Sequence, residues 1–355
     1  MLDTTVLQSN VRYLQRAHMV LAFILHFYVH STPTEDRATT ICIPKSIAVP
    51  IVAVSKALGT APVMTFADTV LWNWELVRPD LPLSADNIRY VNILSGCETE
   101  RSFYAGSGAV ELKGVEMLRI IDSFMTLPNI IDRAAESKIE EDLIQLKRIV
   151  DELTAIFESM RSTVDPKAFY WYCRPWWNGS PSSGSGKPQW VYEGVSSRDT
   201  QFLSGPSAGQ SSVMHALDIF LDIDHKLQKK REPAPSEANR RADTGFMERM
   251  RNYMPGLHRA YLQYLVASPR TVRDVAEKSP RLREAYNGAV MALKHLRDVH
   301  VRIVTLYVVT QSHHAPPSDV QMKERGSGAA RGTGGMEASI LLKHGRDATA
   351  RAKLP

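Results

Sequence analysis

Between Arg281 and Thr310 apolar residues recur at three- and four-residue steps: Tyr286, Val290, Leu293, Leu296, His300, Val304 and Tyr307. That period demands a long helix with one face against a core. His300 stands inside the apolar stripe, and Arg297, three residues earlier, lies on the same side. An imidazole so placed suits two roles. It can give one nitrogen to a haem iron while a carbonyl or carboxylate holds the other, with Arg297 meeting a propionate. Or it is a hydrogen-bonded core residue, the commoner state of a lone histidine on an apolar face.

The same periodicity predicts helices over Val11 to Tyr28, Ile47 to Leu58, Thr65 to Leu76, Phe103 to Thr126, Ile139 to Ser162, Ser211 to His225, Thr244 to Ser268 and Thr271 to Glu277. Strand candidates are short, Thr40 to Ile43 and Trp190 to Tyr192, so the class is all-α. The expected division is a small N-terminal domain, 1–98, and a large helical domain, 99–355. Three irregular stretches separate the helices: the Gly/Ser/Pro-rich Asn178 to Pro188, the charged Lys226 to Asp243, and a long loop, 312–336, suited to a mobile lid.

The chain's 355 residues can bury a large core, and a 44% hydrophobic fraction is that of a globular protein. The net charge of +5 comes with basic residues concentrated in Lys226 to Arg241 and Lys323 to Arg351, read as solvated linker and tail. No basic stripe interleaves with aromatics, so no nucleic-acid partner is expected. Met19 to Val29 is too short to span a bilayer and lacks the marks of a signal peptide, which gives a cytoplasmic, membrane-free expectation. Cys42, Cys97 and Cys173 form no metal-spacing pair and suit a reducing compartment.

Two motifs compete for the chemistry. Gly205-Pro206-Ser207-Ala208-Gly209 fits the G-x-S-x-G of serine hydrolases, with Asp218 and His300 following in acid, histidine order. That motif works only where a buried strand delivers the serine into a sharp turn, and Ser196 to Ser204 is polar and irregular. The second, Pro166 to Trp177, gathers six aromatics around Arg174. It is either an aromatic helix end with Arg174 stacked on a ring, or a pocket for a flat apolar ligand with Arg174 gripping a carboxylate.

Taken together, several ordered segments resemble the indoleamine 2,3-dioxygenase family: His18-Met19-Val20-Leu21, Phe66 to Trp74, Pro166 to Arg174, Val191-Tyr192-Glu193-Gly194, Gly205 to Ser212, Tyr253-Met254-Pro255, Leu282 to Tyr286, His300 with Ile303-Val304-Thr305, and Gly332 to Gly335. The resemblance implies one haem b per chain with His300 as proximal ligand and Arg297 near a propionate. It implies that Ser207 and Ala208 line the haem edge and amino-acid pocket, that Phe66, Phe103 and Ser107 lie on the distal side, that Phe169 packs on the indole, that Arg174 pairs with the carboxylate and that Thr333 closes over the amino-acid end. The implied reaction inserts both atoms of the co-substrate O2 across the indole C2–C3 bond of L-tryptophan, giving N-formyl-kynurenine, in a monomer with no protein general base. The cofactor carries the hard step, and the protein orients the substrate and excludes water.

Three departures stand out. Phe66 replaces a tyrosine common in the family, Pro206 replaces a glycine, and the chain opens close to the His18 helix, so early helices of the small domain are expected to be absent. They motivate two alternatives: a dioxygenase acting on another indole in specialised metabolism, and a haem-binding sensor without turnover.

Overall fold

The computed structural model describes residues 4–32, 40–128, 132–181, 188–318 and 338–355. The periodic stretch around His300 is a helix over Pro280–Val304, capped by the Ser279 hydroxyl, which accepts from the Leu282 N–H at 3.3 Å, with Pro280 at the first helical position. Its buried face is Leu282, Tyr286, Ala289, Val290, Ala292, Leu293, Leu296 and Val299. It packs on Arg133–Ser159, whose Ile139, Leu143, Leu146, Ile149, Val150 and Leu153 are buried at the same helical spacing. Each such aliphatic is worth about 1.5–3 kcal/mol on burial, so this pair dominates one core. Helices Glu98–Thr126, Ser212–Phe220 and Gly256–Val266 complete it.

A second core gathers Val11–Ser31 and Lys45–Leu58 with the aromatic segment around Phe169 to Trp177 and with Phe246, Tyr253 and Tyr307. Here His18, fully buried, joins Asp68 through Nδ1 at 2.6 Å and Ser55 through Nε2 at 2.9 Å. Asp68 in turn accepts from the Thr65 main-chain N–H and hydroxyl, both at 2.8 Å. That polar knot fixes the turn carrying Phe66.

Among the described residues the architecture is all-α, with two small sheets. Thr40–Ile43 and Gln189–Tyr192 pair in parallel, where the two strand candidates were expected. Trp74–Leu76 and Ile88–Tyr90 pair antiparallel. Three expectations need correction. Thr65 to Leu76 is not one helix: it is a π turn, Ala67–Leu71, followed by a strand, and buried Asn73 donates to the Asn92 carbonyl at 2.8 Å. Thr244 to Ser268 is split by Pro255, which offers no N–H and holds Met254 extended. Ser211 to His225 stops at Phe220, with Asp222 in the left-handed region at φ 54°. The basic tail is also not wholly solvated: Arg351 is 3% exposed. No helix among the described residues is long and apolar enough to cross a membrane.

Candidate functional site

Phe103, Ser107 and Glu111 stand four residues apart on Glu98–Thr126 and form one stripe facing a cavity of about 340 Å³. The Phe103 ring lies 4.9 Å from Phe169 and stacks on Trp177 at 5.3 Å, while Phe169 meets Tyr307 edge-on at 5.7 Å. Trp177 is held in place by its indole N–H, which donates to the Tyr104 hydroxyl at 2.8 Å. Flat apolar ligands fit such walls, since offset and edge-on ring contacts add to the area they bury.

Phe169 and Arg174 reach this cavity together because the chain between them is a π turn, Phe169–Cys173, in which the Arg174 N–H donates to the Phe169 carbonyl. In an α-helix residues five apart diverge by about 140°. Closing the turn over five residues brings both onto one side. The Arg174 guanidinium lies over the Tyr170 ring at 5.1 Å, and burial lowers its pKa, partly offset by Tyr170. Two further π turns feed the same cavity. Ala67–Leu71 supplies Thr69 and Val70 beside Phe66, and Thr305–Thr310 supplies Tyr307 and Val308.

The Gly205 to Ser212 loop is locked by its own residues. Gln210 accepts from the Phe66 N–H at 2.8 Å and donates to the Gly205 carbonyl at 2.9 Å. Ser211 donates to Glu111 at 2.5 Å. A Cβ at Gly205 would sit 1.7 Å from the Trp177 carbonyl oxygen, so the glycine answers to backbone crowding. The Ser207 hydroxyl accepts from the Gly209 N–H at 3.2 Å, capping a short turn, and no strand leads directly into it, since residues 193–206 hold none. Asp218 is engaged elsewhere. The serine, acid, histidine arrangement of a hydrolase is therefore not formed.

His300 faces the cavity beside Phe157, ring centroids 5.7 Å apart. Among the described residues no hydrogen bond reaches either of its ring nitrogens. The carbonyl or carboxylate expected to hold one of them is thus not found, and neither is the hydrogen-bonded core histidine. Burial, aided by the nearby Arg297 charge, lowers its pKa to about 4, so at neutral pH the imidazole is uncharged with a lone pair available. A single imidazole of this kind suits a metal already held in a macrocycle, and the aromatic and aliphatic walls suit the macrocycle itself.

Arg297 is committed to the protein. Its Nη2 donates to both Asp218 oxygens at 2.5 and 2.7 Å, and its Nη1 to the Gly345 carbonyl at 3.0 Å and to the Thr349 hydroxyl. Asp218 also meets His225 at 2.7 Å. Burial pushes the Asp218 carboxyl up, but Arg297 and His225 together hold it well below the usual range. Any propionate contact of Arg297 is therefore shared with Asp218.

Of the ten candidates from the sequence, Phe66, Phe103, Ser107, Phe169, Arg174, Ser207, Ala208, Arg297 and His300 line this one cavity. Thr333 lies outside the described residues. Sequence reasoning missed Glu111, whose carboxyl is pushed up to about 7 by burial against the opposing Ser211 hydrogen bond. The signal was available, because Glu111 continues the four-residue stripe from Phe103 and Ser107. Gln210 and Asp218 were also missed as partners of Phe66 and Arg297.

The family model described as indoleamine 2,3-dioxygenase matches residues 1–352. The chain is 31% identical to "Indoleamine 2,3-dioxygenase 1" of Mus musculus, over 96% of this chain and 80% of that protein. It is 28% identical to "6-hydroxytryptophan 2,3-dioxygenase fscD" of Fusarium equiseti, over 97% and 82%. It is also 30% identical to "Myoglobin" of Haliotis madaka, over 90% and 78%.

Proposed function

Because the chain belongs to the indoleamine 2,3-dioxygenase family, we propose that it is a haem-dependent dioxygenase that cleaves the indole C2–C3 bond of L-tryptophan to give N-formyl-kynurenine. The observation that carries this reading is the uncharged His300 imidazole, without a hydrogen-bond partner among the described residues, at an aromatic cavity that also holds Arg174. His300 is the residue that would hold haem, and the haem would supply the activation of dioxygen. The chain's own residues do the rest. Phe103, Phe169 and Trp177 confine the indole and keep water from it, which is what orientation in a dry site requires. Arg174, preorganised on Tyr170, meets the amino-acid carboxylate with charge-assisted hydrogen bonds. Ser207 and Ala208, which line the same cavity, would bound the haem edge. No side chain is needed as a general base, and Ser107 serves only as a hydrogen-bond partner.

Reconstitution with hemin, reduction, and addition of L-tryptophan in air test the reading. A Soret band that shifts with tryptophan, followed by N-formyl-kynurenine, is expected. His300→Ala should abolish the normal haem spectrum, and its retention would remove His300 as ligand. Arg174→Ala should raise KM for L-tryptophan by an amount corresponding to about 2–4 kcal/mol, while tryptamine, which has no carboxylate, should be little affected. An unchanged KM would contradict the carboxylate role.

Two observations support second readings. Phe66 offers no hydroxyl to the cavity, and a relative is named for 6-hydroxytryptophan, so faster turnover of a ring-substituted indole than of tryptophan would favour that substrate. A relative at similar identity is named myoglobin, so a stable Soret band with no product from any indole would favour oxygen or haem binding without turnover.

A further inference from the structure

Away from the haem cavity, and sharing no lining residue with it, a second concavity of about 550 Å³ is bounded by Lys229, Lys230, Arg231, Glu232, Arg240 and Arg351, among others. Its charges are strongly one-sided. Five cations stand against Glu232 and against Asp222, which pairs with Lys229 and Arg231. Lys230 and Arg240 make no ion pair among the described residues.

Arg351 is the telling member. It is 3% exposed, yet it is not paired with a carboxylate. Main-chain carbonyls of the pocket's own wall orient it: Nε donates to Pro233 at 2.9 Å, and Nη2 to Lys229 at 3.1 Å and Arg231 at 3.3 Å. Its Nη1 is buried with no hydrogen-bond partner among the described residues. A guanidinium so buried without a carboxylate is costly unless a nearby anion offsets its charge. Carbonyl oxygens take Nε and Nη2, which fixes that charge in the wall of the pocket.

We infer that this pocket is a second ligand site, which takes a small polyanion carrying two or more phosphate groups, with Lys230 and Arg240 closing on it at the rim and Arg351 supplying a fixed positive charge in its wall. The volume exceeds the need of a single inorganic ion, and the excess of cations matches a diphosphate better than a monoanion. The lining holds no aromatic ring on which a nucleobase could stack, so recognition rests on the phosphates. Arg351 directly follows the helix Ala338–Ala350, whose His344 and Gly345 line the haem cavity, so a bound polyanion would fix the end of a cavity-wall element.

The test is calorimetric titration of the full, hemin-treated chain with sodium pyrophosphate at physiological ionic strength. One saturable site per chain is expected, with orthophosphate at least tenfold weaker. The surface variant Lys230→Ala/Arg240→Ala should weaken pyrophosphate at least tenfold while leaving the Soret band unchanged. Arg351→Gln should do the same, and if it fails to fold the double variant alone decides. Absence of saturable binding, several weak sites that vanish with salt, or undiminished binding by the double variant would each overturn the assignment.

Discussion

Glu111 shows what one buried carboxyl does in an otherwise apolar cavity. Below about pH 4.5 it is protonated both folded and unfolded. Between there and about 7 the folded chain keeps a proton that the unfolded chain has released, so its contribution to stability falls as pH rises through that window. Above 7 the fold carries a buried carboxylate, at a cost on the order of 3 kcal/mol. Glu111→Gln keeps an acceptor for Ser211 and removes the charge. The apoprotein variant should therefore melt a few degrees higher than the parent at pH 8, and the difference should shrink to about a degree at pH 5. Equal shifts at both pH values would show that packing, not ionisation, is responsible. His300 behaves in the opposite sense: its lowered pKa makes folding less favourable as pH falls from 6.5 to about 4, and the neutral form is kept across the physiological range. Both residues occupy helical stripes visible in the sequence. Their protonation was not legible there, because it is set mainly by burial, which depends on what packs around them from other elements.

At the scale of elements, the long helices were legible because a 3.6-residue stripe survives in Pro280–Val304 and Arg133–Ser159 whatever they pack against. The short elements that shape the cavity were not. Three π turns widen the repeat locally, so the placement of Thr69 beside Phe66 and of Phe169 beside Arg174 does not follow from α-helical spacing, and the aromatic segment around Arg174 was open to two readings until the family resemblance chose between them. The helix Glu98–Thr126 reaches its position through a second close approach. A Cβ on Gly108 would lie 1.8 Å from the Tyr90 hydroxyl, which donates to the Val70 carbonyl at 3.2 Å, beside the π turn that follows Phe66. Gly108→Ala should push the helix off that strand and destabilise by about 1–3 kcal/mol, as overpacking does. Tyr90→Phe in the same chain should recover part of the loss by removing the clashing oxygen. Denaturant melts of the two single variants and the double variant give the coupling, and strict additivity would place the strain elsewhere.

For the whole molecule, the cavity matters because it lies where the two cores meet: Phe66, Phe103, Phe169, Phe246 and Tyr307 belong to one, and Val110 and Leu296 to the other. On the side of the second of these cores, polar ties such as Arg297 to Asp218 and Arg297 to the Gly345 carbonyl join elements distant in sequence. A flat apolar group seated in the seam would bury surface from both cores at once, so its binding free energy becomes folding free energy. With hemin at about a thousand times its dissociation constant the gain is about 4 kcal/mol, which for a chain of this size is a rise of about 5 °C in Tm. The rise should depend on hemin concentration and should vanish in His300→Ala. In Asp218→Asn, Arg297 loses its counter-charge, so the apoprotein itself should be destabilised, and the hemin-dependent rise should shrink with it. A hemin response in Asp218→Asn as large as in the parent would mean that the Arg297–Asp218 tie does not contribute to holding the group.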